Sequence, residues 1–433
     1  MNIISKNIAI SIFSCLLLSS AFTGNTQTIS YSETKRIMTT LASDDMQGRK
    51  TGTEGNRKAA AFIAEEFQKL GLVPMEGNDG YYQYFSLYNL KPQKHKVKIN
   101  GQTLSSKDVL VLNGRENIKL KKSSQVETLL IKKEDSFREK FAEYRQKEGD
   151  FVVLVHPSHQ EEFSNYNLYF GIFQPQVELN EKHFSAWTLS EDSTLNKVKI
   201  QLKYSIEENK MHNIIGVLPG ASDEKILLSA HYDHIGIIAP IQGDSIANGA
   251  DDDATGVTAI IQLAKHFKEK GNKRTLVFAA FDAEEIGLIG SKHFAEQITP
   301  EEYVANVNIE MIGKPSDRGI RKAYVTGYDK SNMGKLMRKA AASKGFRFFA
   351  DPYKEYNLFM RADNASFAQY NIPAHTISSD PIDFDSYYHT VNDEISTLDL
   401  KNMNSIIEGI AAGIAPMVDG SVTPSRLKFD RKK

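Results

Sequence analysis

The feature that most constrains the fold is a pattern that begins near residue 213, where short, almost uninterrupted apolar runs alternate with segments of helical periodicity. The runs lack the polar alternation of a strand with one face in water, which favours strands covered on both faces. Segment 254–271, ATGVTAIIQLAKHFKEKG, places apolar residues at helical intervals and ends at Gly271, a common helix C-cap. The runs are KILLSA (225–230), RTLVFAAF (274–281) and VANVNIEM (304–311).

This alternation predicts an α/β fold, a three-layer sandwich with a mixed, largely parallel central sheet and helices on both faces. The composition changes between residues 91 and 205, where short strand-like pieces stand among lysine-rich and glutamine-rich loops. No grouping of catalytic residue types occurs in that stretch, and we interpret it as a smaller, β-rich inserted accessory domain. The flanking parts, 28–90 and 206–433, are then expected to form the main domain together.

Residues 1–27 have the layout of a secretory signal peptide, with a lysine, the apolar run IAISIFSCLLLSSAF, and then small and polar residues. The run is shorter than the roughly 20 residues that a bilayer span needs, and no later segment approaches that length. Cys15 is the only cysteine, and Phe13 stands where a lipoprotein cleavage site usually has a small residue, so we expect no lipid anchor. The sequence therefore predicts an exported protein, periplasmic or extracellular, whose metal ligands must be His, Asp or Glu.

The charges of the chain are balanced, with 53 Lys plus Arg against 54 Asp plus Glu. Such a chain has no overall field of the kind that gathers nucleic acid or anionic membrane. We therefore expect partners to be recognised at a local site, and neither nucleic acid nor a membrane to be among them.

Histidines and carboxylates follow the predicted strands, at the edge of the sheet where ligands bind in folds of this class. Each one alone has an ordinary explanation, such as an acidic residue at a helix N-terminus or an N-cap aspartate. Together, their repulsion and desolvation would accumulate at one edge, so a cation is expected among them. The motifs are HYDHIG (231–236), GADDDATG (249–256), DAEEIG (282–287), NIEM (308–311) and YYHTVND (387–393).

Without thiolates, these ligand types fit zinc or a similar divalent ion. Two ions bring four positive charges, which three carboxylates and a bridging hydroxide offset, so a pair of ions is the simplest arrangement. A two-metal site lowers the pKa of the bridging water and polarises a carbonyl, as amide hydrolysis requires. Of the adjacent Glu284 and Glu285, one must then stay off the metal to move the proton.

The five motifs, in this order, resemble the signatures of the two-zinc exopeptidase family that includes bacterial leucyl aminopeptidases, glutamate carboxypeptidase II and transferrin receptor. The segment LASDDMQGRKTGTEGNRKAAAFIAEEFQKLGL (41–72) is similar to the lead-in of that family. The middle region is not covered by the resemblance. Relatives often carry a protease-associated insert there, and DFVVLVHP (150–157) is similar to one of its strands.

The resemblance implies two Zn²⁺ per chain and a cis peptide bond between Asp252 and Asp253. Glu310 departs from the family, which has Asp at that place, and its extra methylene shifts the carboxylate unless the backbone adjusts. The implied ligands are His231, Asp252, Glu285, Glu310 and His389.

The same resemblance implies roles around these ligands. Glu284 would be the general base, and Tyr388 would stabilise the tetrahedral oxyanion. Asp233 would fix the tautomer of His231 from behind, and Asp393 would orient His389 in the same way, with Asp253 also placed behind the ligands. For the substrate, Asp363 is a candidate for holding an α-amine and Arg361 for holding a terminal carboxylate.

The expected function is that of an exported zinc aminopeptidase, which hydrolyses N-terminal residues from peptides through a metal-bridging hydroxide with Glu284 as base. One alternative is a carboxypeptidase, a dipeptidase or a one-zinc glutaminyl cyclase of the same fold. Another is a non-catalytic binding protein, because some family members serve as receptors or structural subunits, typically after losing ligands.

Overall fold

The computed structural model describes residues 29–171 and 175–428, so the predicted signal peptide and Cys15 lie outside the described residues. Among the described residues, no helix combines the length and apolarity needed to cross a bilayer. The helices are α1 (Tyr31–Leu41), α2 (Glu54–Lys69), α3 (Phe137–Tyr144), α4 (Gln160–Phe170), α5 (Thr255–Lys270), α6 (Ile289–Gln297), α7 (Met333–Ala341), α8 (Asn364–Ala368) and α9 (Leu400–Val418).

The strands of the first half are β1 (Val73–Pro74), β2 (Tyr82–Ile99), β3 (Gln102–Leu104), β4 (Leu110–Asn113), β5 (Asn117–Leu120), β6 (Glu127–Ile131), β7 (Gly149–Val155), β8 (His183–Leu189) and β9 (Val198–Leu218). Those of the second half are β10 (Ser222–His231), β11 (Gly236–Ile241), β12 (Asp244–Ala247), β13 (Arg274–Phe281), β14 (Tyr303–Ile309), β15 (Lys322–Val325), β16 (Arg347–Ala350) and β17 (Ala374–Ser378).

The central sheet has the order β16-β15-β17-β14-β10-β13-β9-β2-β3, with β1 and β5 also paired to β9. Its middle is parallel, because β10 pairs in parallel with both β13 and β14, and β14 pairs in parallel with β17. Antiparallel pairs flank this core, between β13 and β9 on one side and β17 and β15 on the other. The predicted mixed, largely parallel sheet is confirmed.

Helices cover both faces of this sheet, as predicted. Ile226 and Leu228 of β10 lie in a large buried cluster with side chains of α1, α2, α5 and α9. Leu227, which points to the other face, lies in a second cluster with side chains of α6 and α8. Helix α5 ends where predicted, with Gly271 in a positive-φ conformation and its N–H donating to Phe267. The apolar runs are therefore uninterrupted because both sides of each strand are buried.

The inserted region contains a separate four-stranded sheet in the order β4-β8-β7-β6, with α3 and α4 packed on it. The expected domain boundaries at residues 90 and 205 fall inside β2 and β9, which pair with each other along their length and run from the central sheet into the inserted region. The lysine-rich outer halves of these strands are exposed on one side, which is why their sequence differs from that of the buried strands.

Candidate metal centre

The sheet brings the predicted motifs together at one edge. His231 ends β10, the DAEEIG motif follows β13, and Glu310 follows β14, and these three strands are parallel neighbours. Asp252 lies in the irregular turn before α5, and His389 lies in the loop that follows β17. Because parallel strands end at the same edge, residues far apart in sequence meet there.

Asp252 is at the centre of the group. Its Oδ1 lies 3.1 Å from Nε2 of His231, whereas its Oδ2 lies 3.3 Å from Nε2 of His389. Nε2 of His389 is also 3.0 Å from Oε2 of Glu285. The two oxygens of one buried carboxylate thus face different histidines, which is the arrangement of a bridging ligand. The peptide bond between Asp252 and Asp253 is cis, as expected.

His234 is a member of the group that the sequence did not single out. Its Nδ1 lies 2.8 Å from Oε1 of Glu285 and 3.5 Å from Oδ2 of Asp252. His234, Asp252, Glu285 and His389 each present one ligand atom, and these atoms all lie within 4.8 Å of one another. The available signal was the HxxH spacing directly after a buried strand, but a second histidine there has many ordinary explanations.

The donor set fits a divalent cation such as zinc. The buried Nε2 atoms of His231 and His389, which face the carboxylates of the group, make no hydrogen bond among the described residues. Burial opposes the ionisation of Asp252, but the charge of His234 and the contacts of His231 and His389 hold its pKa well below the ordinary value. Unsatisfied imidazole nitrogens around an ionised carboxylate are what a metal ion would complete.

Glu284 and Glu310 lie beside this group rather than within it. Burial raises the pKa of Glu284 well above its ordinary value, opposed by His231 and reinforced by Glu310 and Asp363. Burial likewise raises the pKa of Glu310 to about 8, again opposed by His231. Neighbouring carboxyls contribute to both rises in pKa, and this mutual repulsion makes their surroundings favourable for a cation.

The three acidic residues expected behind the ligands bond mainly to backbone N–H groups of the loops. Nδ1 of His231 lies 3.0 Å from the main-chain oxygen of Asp233, but 3.9 Å from its carboxylate, which instead accepts the N–H groups of Glu284 and Glu285 at 3.0 and 3.3 Å. Buried polar groups in tight loops need such partners. The Asp233 carboxylate therefore holds the backbone of Glu284 and Glu285, whereas the imidazole of His231 is held by the main-chain oxygen of Asp233.

Asp393 differs from expectation in the same way. Its carboxylate accepts the N–H groups of Asp251, at 2.9 Å, and Asp252, at 3.1 Å, and supports the GADDD turn rather than His389. Asp253 accepts the N–H groups of Gly256, at 2.9 Å, and Met311, at 3.2 Å. Each carboxylate therefore fixes the backbone of a ligand-bearing loop.

Arg49 is a further residue that the sequence did not single out. Its guanidinium is buried and donates only to main-chain oxygens, with distances from 2.5 to 3.2 Å. The acceptors belong to Leu41, Tyr232, Asn248, Gly249 and Asp252. One side chain thus joins the segment after α1 to two ligand-bearing loops. The local sequence GRKTG contains no pattern that predicts these contacts.

Tyr388 and Arg361 line a cavity of about 1020 Å³ next to the cluster, whereas Asp363 is not among its lining residues. Tyr388 lines it with its ring stacked on that of His389, at 3.9 Å between ring centroids, and burial raises the pKa of its phenol, so it stays a donor at neutral pH. Arg361 lines the cavity with an exposed side chain. Asp363 is fully buried, and burial raises the pKa of its carboxyl, while His231 opposes the rise.

Apolar side chains form much of the cavity wall, and one part of that wall comes from the inserted region. The main-domain contributors include Ile286, Leu358, Met360 and Ile382, and α4 contributes Asn165, Tyr166, Leu168 and Phe170. The inserted region therefore reaches over the candidate metal centre.

Comparison with known proteins identifies related peptidases. Residues 213–414 match the model of peptidase family M28. The chain is 24% identical over 269 residues to aminopeptidase YwaD of Bacillus subtilis (strain 168), which is 60% of this chain and 54% of that protein. It is 28% identical over 207 residues to leucine aminopeptidase 1 of Trichophyton rubrum, which is 44% of this chain and 54% of that protein. The chain thus spans about half the length of these curated relatives.

Solved structures share the fold over almost the whole chain. An aminopeptidase from Aneurinibacillus sp. strain AM-1 superposes with a TM-score of 0.56 at 16% identity, covering 94% of this chain and 97% of that one. BSAP, a zinc aminopeptidase from Bacillus subtilis, gives 0.54 at 17% identity, with the same coverage. Because residues 213–414 match the family model and also carry the whole histidine and carboxylate cluster, they form a domain of peptidase family M28.

Proposed function

We propose that this protein is a zinc-dependent aminopeptidase that hydrolyses N-terminal residues from peptides. The observation that carries the proposal is that His231 and His389 lie against the carboxylates of Asp252 and Glu285. Glu284, which takes part in none of these contacts, lines the adjoining cavity. The names of the matched relatives, which are aminopeptidases, support this function. We propose two ions, because the two oxygens of Asp252 face separate histidines.

The chain would hold zinc through His231, His389 and the carboxylates of Asp252, Glu285 and Glu310. When bound, zinc supplies a Lewis acid for the scissile carbonyl and lowers the pKa of water at the site. Glu284 takes the proton of the attacking water and delivers it to the leaving amine nitrogen. Its place outside the four-residue ligand group leaves the carboxylate free for both steps.

The other residues around the cavity orient the substrate. The Tyr388 phenol, held against His389, donates a hydrogen bond to the oxyanion that forms from the scissile carbonyl. The buried carboxyl of Asp363, whose charge acts on Glu284, adds the negative charge that attracts the free α-ammonium group of a peptide. An apolar wall beside these acids suits the side chain of an N-terminal apolar residue.

Arg361 supports a second candidate, because its exposed guanidinium lines the same cavity and is suited to a terminal carboxylate. Carboxypeptidase or dipeptidase activity would use that contact. We favour the aminopeptidase because the matched relatives are named aminopeptidases.

Release of a chromogenic amine from unblocked amino-acid amides tests the function. We expect turnover with free α-amines, its loss on N-acetylation of the same substrates, and its loss on treatment with a chelator. Release of residues only from carboxyl ends would show a carboxypeptidase, and cyclisation of N-terminal glutamine without release of an amino acid would show a glutaminyl cyclase. Either result would contradict the proposal.

We also propose that the protein is exported, because residues 1–27 have the layout of a signal peptide. Expression with and without these residues, followed by cell fractionation and N-terminal sequencing, tests this. A cytoplasmic protein that retains its first 27 residues would contradict it.

A further inference from the structure

The four-residue group around His234 has the dimensions of a complete metal site. Ligand bonds of about 2.0 to 2.1 Å in a tetrahedron place neighbouring ligand atoms about 3.3 Å apart. Nδ1 of His234 lies 2.8 Å from Oε1 of Glu285 and 3.5 Å from Oδ2 of Asp252, whereas Nε2 of His389 lies 3.0 Å from Oε2 of Glu285 and 3.3 Å from Oδ2 of Asp252. These separations lie on both sides of the tetrahedral value, and one ligand atom from each of the four residues lies within 4.8 Å of the other three, so the group is close to the size that one ion requires.

The other side of Asp252 has fewer ligands. His231 faces Oδ1 of Asp252 at 3.1 Å, and the remaining candidate there is Glu310, whose Oε2 lies 3.5 Å from the side-chain amide of Asn308. Glu284 and Glu310 line the same cavity. Three protein ligands leave a zinc position open for water, whereas four close it.

We propose that His234 is a fourth ligand at the position formed by Asp252, Glu285 and His389, and that the two metal positions are therefore unequal. The closed position, with four protein ligands, binds its ion tightly. The open position, with His231, Asp252 and Glu310, binds more weakly and lies next to Glu284. This inference rests on the proposed function, since it takes zinc binding for granted.

A second reading of the same contact makes His234 a hydrogen-bond donor that orients Glu285 without binding the ion. Asparagine separates the two readings, because its amide N–H has nearly the place of the imidazole Nδ1–H but is a poor zinc ligand. If His234 only donates, His234→Asn keeps the tight affinity and His234→Ala loses about 10-fold to 100-fold, as for other residues that orient a ligand. If His234 is a ligand, both variants lose more than about 100-fold.

The experiment is a titration of the metal-free full chain with Zn²⁺ in competition with a chromogenic chelator. We expect two separate binding steps for the wild type, loss of the tight step in both His234 variants, and retention of the tight step in His231→Asn, which is the matched control at the open position. Two indistinguishable steps in the wild type, or a retained tight step in His234→Asn, would overturn the inference and leave the proposed function intact. Absence of zinc binding in the wild type would instead overturn the proposed function.

A measurement on the wild type keeps the inference testable if the variants do not fold. Co²⁺ gives intense visible bands in a tetrahedral site, which lacks a centre of symmetry, and weak bands at higher coordination numbers. We expect the first equivalent of Co²⁺ to give the intense spectrum. A first equivalent with only weak bands would contradict a closed four-ligand position.

Discussion

The metal centre and the part of the cavity wall that α4 forms differ in the kind of side chain they consist of. The metal centre consists of buried imidazoles and carboxylates, held by backbone hydrogen bonds at the ends of parallel strands. The wall consists of apolar side chains from an inserted region, and Leu168 keeps 67% and Phe170 keeps 40% of its surface exposed. Charged groups in fixed positions act on the transition state, whereas apolar surface binds substrate and transition state alike. Changes on the two sides should therefore affect different kinetic constants.

The largest effect is expected for Glu284→Gln. Glutamine has nearly the shape of glutamate but takes up no proton, so we expect kcat to fall about 1,000-fold, within the range that general acid–base catalysis supplies. Because Glu284 lies outside the four-residue ligand group, metal content should not change. Steady-state kinetics and metal analysis on the same sample measure both quantities.

The matched control is Glu296→Gln, the same substitution at an exposed position on α6. It should leave kcat and metal content unchanged. Near-normal turnover in Glu284→Gln would show that another group moves the proton and that the two sides of the cavity do not divide the work in this way.

The next effect concerns the support of the metal centre. Arg49→Lys keeps the charge but replaces the five N–H donors of the guanidinium by the three of an ammonium group. At least two of the five main-chain oxygens therefore lose their hydrogen bond. We expect the free energy of unfolding to fall by roughly 4 kcal/mol, because buried unsatisfied acceptors cost about 1 to 3 kcal/mol each. Urea unfolding of the metal-free protein measures it.

Arg115→Lys in the inserted region is the control for this change. Arg115 makes a partly exposed ion pair with Asp150 at 2.6 Å, and such pairs contribute at most about 1 kcal/mol. If Arg49→Lys were no more destabilising than Arg115→Lys, the buried arginine would not be what holds the ligand loops.

The central sheet should also give the protein an acid-sensitive stability through His375. Burial lowers the pKa of His375 to about 4, although its Nδ1 lies 2.7 Å from the oxygen of Thr326. Since the unfolded chain binds the proton below about pH 6.5 and the folded chain only near pH 4, stability falls as the pH falls between these values. The contribution is about 3 kcal/mol.

Unfolding of the metal-free wild type and of His375→Gln at several pH values measures this contribution. Glutamine does not titrate, so the variant should lose less stability than the wild type between pH 6.5 and pH 4. Equal losses in both proteins would show that the acid sensitivity arises elsewhere.

Much of the metal centre was predictable because its chemistry follows the strands directly. Apolar runs identified β10, β13 and β14, and the residues after them meet by the rule that parallel strands end at one edge. His231, Asp252, Glu285 and His389 were brought together as expected. Here local sequence was sufficient, because each ligand is placed by the strand or turn that carries it.

The rest depends on contacts between distant segments. Arg49 bonds to oxygens about 200 positions further along the chain, and a single arginine in a glycine-containing turn carries no sign of that. The backbone partners of the Asp233 and Asp393 carboxylates could not be predicted, because backbone N–H groups, which the sequence does not distinguish, compete with imidazoles as donors. The approach of α4 to the cavity likewise depends on how the inserted region is placed, so the wall was not foreseen residue by residue.

The smallest effect is expected on the wall. Leu168→Ala removes apolar surface beside the substrate without disturbing the core, because Leu168 is largely exposed. For substrates with a large apolar N-terminal residue, we expect KM to rise about fivefold with kcat unchanged, the pattern of an interaction made equally in the ground state and the transition state. Alanyl substrates, which do not reach the wall, should be unaffected.

Ile320→Ala, an equally exposed apolar change outside the cavity lining, is the control and should alter neither constant. A fall in kcat with unchanged KM in Leu168→Ala would mean that the inserted region takes part in the chemical step, and the division between the two sides of the cavity would have to be abandoned.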